Sequence, residues 1–244
     1  RTSYSSKNID TEIKADMKIN IDFRFVDISY ELHATAKYIS VFESQLPIIV
    51  KQEERAFERI REECISVGND AEDDFNRQEF YDLTENVLPR FYRNAILVTI
   101  WAIFEAAIID ITKELQSLRH KSLGLDDMEG DFLERTKKYY KHILEFPLHV
   151  GGKEWKCIKM LKVLRNAIAH CNGRIDNIKD RYLENIKRCE KEKRGISIES
   201  GNLMCSKDFI EESYSNVNNF LMQLIAEVKK GNPHEPLAKV YSVS

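Results

Sequence analysis

Apolar residues recur along this chain at intervals of three and four, a period that predicts helices almost throughout. From about Asp27 to Val67 the helical positions are Ile28, Leu32, Ala36 and Ile39, then Ile49, Ala56, Phe57 and Ile60. Pro47 lies inside this segment and is expected to kink or split it, because it lacks an N–H and crowds the preceding turn. Gly68-Asn69-Asp70 marks a stop, and the run Glu72-Asp73-Asp74 suits the start of a further helix. Phe75 to Asn86 reads as a short helix, and Pro89 then opens a long one reaching about His120. The middle of that helix, 95–111, is almost all apolar. It is shorter than the roughly 20 residues of a membrane span and carries Glu105 and Asp110, which favours a helix buried inside a bundle.

The second half continues the pattern. A helix is expected from about Met128 to Phe146, with Leu133, Tyr140, Ile143 and Leu144 as its stripe, ended by Pro147 and Gly151-Gly152. Lys153 to Cys171 follows, with Trp155, Ile158, Leu161, Leu164 and Ile168 in register and Gly173 as a C-terminal cap. Asp176 is placed to cap a charged helix running to about Arg194. Ile196 to Cys205 alternates around a Gly-Asn turn and reads as a small β-hairpin. Lys207 to Lys230 is the last helix, with Phe209, Tyr214, Val217, Phe220, Leu221, Leu224 and Val228 inward. Residues 1–26 are polar enough for a short helix or an extended arm, and the chain from Gly231 onward reads as a flexible tail. The expected organisation is an N-terminal helical extension over 1–74, an all-α helical bundle over 75–230 and a tail over 231–244.

Composition narrows the class. With 9 Gly and 5 Pro in 244 residues, an all-β fold rich in tight turns is excluded. The five cysteines, Cys64, Cys157, Cys171, Cys189 and Cys205, are scattered and odd in number, which suits free thiols in a reducing cytoplasmic setting rather than disulfides or a zinc site. The net charge of −3 conceals an asymmetry: residues 131–194 carry 17 Lys and Arg against 9 Asp and Glu, and the remainder 20 against 31. A basic region of this kind either draws in a polyanion or simply solvates a helical surface.

That region contains the sequence with the most specific chemistry, Leu164-Arg165-Asn166-Ala167-Ile168-Ala169-His170. Arg165 offers a planar fork for a phosphate, and His170 can carry a proton near neutral pH. Asn166 and His170, four apart, share a helix face, whereas Arg165 and His170 lie about 140° apart and about 7.5 Å along the axis. Ala167 and Ala169 are small enough to admit a second helix, so a twofold dimer would gather two Arg and two His in one cleft. RNA suits such a set, since its 2′-OH is a nucleophile beside the scissile phosphate. The other reading of the same residues is structural: an Arg near a helix end commonly pairs with an acid, and a His there caps carbonyls. No metal-ligand spacing, Gly-rich phosphate loop or serine elbow occurs, so neither metal nor cofactor is assigned. Arg-Asn-Ala-Ile also occurs at 93–96, but Val98 stands where a His would complete that copy.

An all-α chain whose late helix ends in Arg-Asn-x-x-x-His resembles the HEPN (higher eukaryotes and prokaryotes nucleotide-binding) domains. The likeness covers roughly 75–230, including the apolar helix carrying Phe104-Glu105 and the hairpin before the final helix. The resemblance implies a dimerising helical bundle of HEPN type, often a metal-independent endoribonuclease of toxin–antitoxin or phage-defence systems. It makes Arg165 and His170 the catalytic pair and Asn166 their polar neighbour, with RNA as substrate and an antitoxin or defence protein as a further partner. Some relatives carry a modifiable Tyr four residues after the His; Arg174 stands there in this chain. Other members of that family are non-catalytic RNA-binding or assembly modules, which is the alternative expectation.

Overall fold

A computed structural model describes residues 23–231, apart from Asn69 and Lys193. The expectations for 1–22 and for 232–244 lie outside the described residues. Among the described residues the elements are helices apart from one small antiparallel hairpin before the last helix.

Helix α1 (Val26–Val67) buries Ile28, Leu32, Thr35, Ile39 and Leu46 along one stripe. Pro47 does not split it: the turns on both sides stay helical, and Leu46 beside it is buried. Gly68 ends it with φ 68°, its N–H reaching the carbonyls of Cys64 and Ile65. Helix α2 (Asp70–Tyr81) runs back against the second half of α1, with Phe57 stacked on Phe80 at 4.7 Å and Arg77 paired to Asp73 at 2.5 Å. It begins earlier than the sequence pattern suggests and spans position 74.

A π-helical turn (Asp82–Val87) joins α2 to α3 (Leu88–Leu118) without a break. Pro89 therefore lies within a continuous helical rod rather than at a free start. The wider turn accommodates the hydrogen bond that a proline cannot donate, and Leu88 N–H bonds back to the Leu83 carbonyl.

Helix α3 is the axis of the core. Ile96, Leu97, Ile100, Phe104, Ala107, Ile108, Ile111 and Leu115 are all at most 1% exposed, packed among α1, α5 and α7. Each large apolar side chain buried this way contributes about 1.5–3 kcal/mol. By length and composition the rod from Glu72 to Leu118 could cross a membrane, but half of its apolar window is buried inside the fold, as in a core helix.

Helix α4 (Phe132–His142) is shorter than the expected 128–146. Asp131 caps its start, accepting from the N–H groups of Leu133 and Glu134, and a separate 3-10 turn takes up Leu125–Asp127. At its end Ile143 and Leu144 both donate to the Tyr139 carbonyl, and Glu145 turns into φ 51°. Tyr140 is fully buried with its hydroxyl 3.2 Å from that of Thr112, and burial raises the phenol pKa.

Helix α5 (Lys153–Cys171) has the expected bounds, with Trp155, Ile158, Leu161, Leu164 and Ile168 buried. Asp176 does not cap the next helix. It sits in a 3-10 turn (Ile175–Asn177), and α6 (Asp180–Lys191) starts after Lys179. Strands β1 (Ile196–Glu199) and β2 (Asn202–Cys205) pair with Glu199 opposite Asn202. The turn is therefore Ser200-Gly201, both at positive φ, one residue earlier than the expected Gly-Asn. Helix α7 (Lys207–Gly231) closes the core through Ile210, Val217, Leu221, Leu224 and Val228.

Candidate functional site

The site rests on how α5 ends. Asn172 and Gly173 take φ 50° and 73°, and their N–H groups cap the carbonyls of Ile168 and Ala167 at 2.9 and 3.2 Å. The hairpin then returns to hold this turn: Leu203 N–H donates to the Gly173 carbonyl at 2.8 Å, and Ile175 N–H to the Gly201 carbonyl at 2.9 Å. A β-carbon on Gly173 would lie 3.5 Å from both Asn94 Nδ2 and Leu203 Cβ. The last turn of α5 is thus fixed from one side by α3 and from the other by the hairpin.

On that turn His170 is exposed and Asn166 is half-buried. Arg165 is half-buried; its Nη1 donates to Asn166 Oδ1 at 3.1 Å, and its buried Nε finds no hydrogen-bond partner among the described residues. The fold brings Arg165 and Asn166 together directly. It sets His170 on the face of Asn166, one turn on, and leaves Arg165 around the helix from it. Ala169 is exposed between the two flanks. Ala167 faces the other way, 4% exposed in its own core, because it continues the buried stripe of Leu164 and Ile168. Only Ala169 of the two small residues is open to a second helix.

The other Arg-Asn-Ala-Ile copy has a structural task. Arg93 makes a two-pronged bond to Glu43 on α1, at 2.9 and 3.1 Å, and reaches the Cys205 carbonyl at 3.4 Å. Asn94, 4% exposed, has neither amide atom bonded among the described residues, an uncompensated cost of about 1–3 kcal/mol. Glu105 accepts from Trp101 Nε1 at 3.0 Å, one turn away on α3.

Two features escaped the sequence. Asn94 is one; its signal was a polar residue on the buried stripe of an apolar helix, in line with Leu97 and Trp101. The other is a groove of about 980 Å³ between α5 and α6, reaching the start of α4. Its signal was Lys153, Lys156, Lys159 and Lys162, recurring every third residue on α5. Among the described residues no group of three or more His, Cys, Asp or Glu is placed to hold a metal. Comparison with protein-family models, curated proteins and solved structures gives no match for this chain.

Proposed function

We propose that this chain is a metal-independent endoribonuclease of HEPN type, acting as a cytoplasmic homodimer in a toxin or phage-defence role. The observation that carries the reading is an exposed His170 one helical turn after Asn166, which itself accepts a bond from Arg165. A second copy packed over Ala169 would bring the partner's Arg165 toward His170 and complete the set across a twofold axis. RNA cleavage then needs no external nucleophile. The 2′-OH attacks the adjacent phosphorus as one His170 takes its proton, Arg165 stabilises the extra negative charge, and the P–O5′ bond breaks as the partner's His170, protonated, gives its proton to the 5′-oxygen. The product ends in a 2′,3′-cyclic phosphate. Asn166 orients the Arg165 fork through the bond already in place.

The test is cleavage of a labelled single-stranded RNA in EDTA by wild type, Arg165→Ala and His170→Ala, with the product ends identified. Loss of at least a hundredfold in both variants, with fold and dimer intact, is the expected result; equal cleavage by all three overturns the proposal.

A second reading, a non-catalytic RNA-binding or assembly module, is favoured by the bond that holds Arg165 to Asn166 and away from His170 within one chain. It requires salt-sensitive RNA retention with no turnover by wild type. An antitoxin or defence protein is the further partner that either role would need.

A further inference from the structure

We infer that the groove between α5 and α6 is the track along which a single strand of RNA runs to His170. This rests on the RNA reading above and adds to it where the strand lies and which side chains hold it.

The argument begins with the wheel of α5. Lys159, Val163, Asn166 and His170 are spaced at four, three and four, so they form one stripe along the helix. Lys159 and Val163 line the groove, and the same stripe ends in Asn166 and His170. One wall of the groove therefore continues into the proposed site. From Lys156 to His170 the stripe covers about 21 Å, room for a few nucleotides.

Charge decides the occupant. Three of the carboxylates lining the groove are already committed: Glu212 to Lys153 at 2.9 Å, Asp131 to Lys162 at 2.5 Å and Glu192 to Arg194 at 2.5 Å. Among the described residues Lys156 and Lys159 are exposed without an acidic partner, and the exposed Arg188 donates to the neutral Asn185 Oδ1 at 3.1 Å and makes no ion pair. Against these three cations stands one lining carboxylate without an ion pair among the described residues, Glu134. The surplus is positive, and it comes from both walls, Lys156 and Lys159 on α5 and Arg188 on α6. That pattern suits successive phosphates better than a single anion.

Between the cations the floor is apolar, with Met160, Val163 and the half-buried Tyr182. A cationic rim over an apolar and aromatic floor accepts unpaired bases as well as phosphates, and so selects a single strand over a duplex.

The experiment measures binding of a fluorescein-labelled 12-nucleotide oligo(U) RNA by anisotropy across a salt series, on the His170→Ala protein so that the probe survives. The double variant K156E/K159E is expected to weaken binding at least tenfold at 100 mM salt. It should also reduce the slope of log affinity against log salt by about 1.4, the loss of two phosphate contacts on a single strand. K156A/K159A, which adds no carboxylate, should show the same direction with a smaller loss. K37E/K51E on α1 carries the same change in net charge and should alter binding less than twofold. With His170 restored, K156E/K159E should raise KM and leave kcat within a few-fold.

Unchanged binding by both Lys156/Lys159 variants overturns the track, even if His170-dependent cleavage stands. So does an equal loss from K37E/K51E, or preferential capture of an oligoglutamate peptide, which would make the groove a protein-docking site. Conversely, binding that depends on these lysines without any cleavage by wild type removes the nuclease and keeps the track.

Discussion

Asn94 on α3 and Gly173 after α5 face each other so closely that a β-carbon at 173 would stand 3.5 Å from Asn94 Nδ2. That distance is ordinary contact, so space is not what requires glycine there. The requirement is φ 73°. Gly173→Ala is therefore expected to cost about 1–2 kcal/mol through backbone strain. Denaturant unfolding should show a lower midpoint with an unchanged slope.

Asn94 itself should behave in the opposite way. Both of its amide atoms are buried without a partner, so Asn94→Leu removes two unsatisfied polar atoms and fills the same space with carbon. Stability equal to wild type or higher is expected from the same unfolding experiment. A loss above about 2 kcal/mol would mean that the amide holds something that the chain alone does not supply.

Glu43 and Arg93 join α1 to α3 through side chains that are 9% and 19% exposed. Removing one partner strands the other charge away from water, so Glu43→Ala should cost about 2–3 kcal/mol. The double variant E43A/R93A should cost less than the sum of the two single changes. A double-mutant cycle on thermal or denaturant unfolding measures that coupling.

Asp131 gives a dependence on pH. Partial burial pushes its carboxyl pKa up, but bonds from Lys162, Glu134 N–H and Leu133 N–H outweigh this and hold it below the ordinary 3.8. Its contribution is therefore fully present above that ordinary value and is lost as pH falls through the lower folded one. Asp131→Ala should destabilise by about 1 kcal/mol at pH 7, chiefly through the lost helix cap, because the side chain is 49% exposed and screens its ion pair. The gap between variant and wild type should close as the solution is acidified below pH 3.8.

Cys205 is buried at the end of β2, and burial drives its thiol up to about 12, against a smaller downward pull from Arg93. At pH 8 roughly one thiol in ten thousand is ionised. Alkylation followed by peptide mapping should leave Cys205 unmodified in the folded protein and modify it readily in denaturant.

Helix positions were legible because the buried stripe repeats at helical spacing, and α5 is the clearest case, from Trp155 through Ile168. Boundaries set by capping chemistry were not. Asp131 and Asp176 are both acids ahead of a helical pattern, yet only Asp131 finds free N–H groups to accept from, while Asp176 is used up in a 3-10 turn. The π turn before Pro89 leaves no mark in a pattern of hydrophobic residues, since it changes the hydrogen bonding and not the burial. Arg165, Asn166 and His170 were legible as a motif, but their mutual arrangement depends on the tertiary clasp at Gly173. The groove needed α6 folded back beside α5 before its lysines could be seen as one wall.

The hairpin holds the turn after α5 through two main-chain bonds, Leu203 N–H to the Gly173 carbonyl and Ile175 N–H to the Gly201 carbonyl. At its tip Ser200 and Gly201 both take positive φ, so the kind of residue there is constrained as well as the number between the strands. One inserted residue at that tip would displace the Gly201 carbonyl or the Leu203 amide, loosen the helix end thirty positions upstream, and so move the imidazole that stands on its last turn.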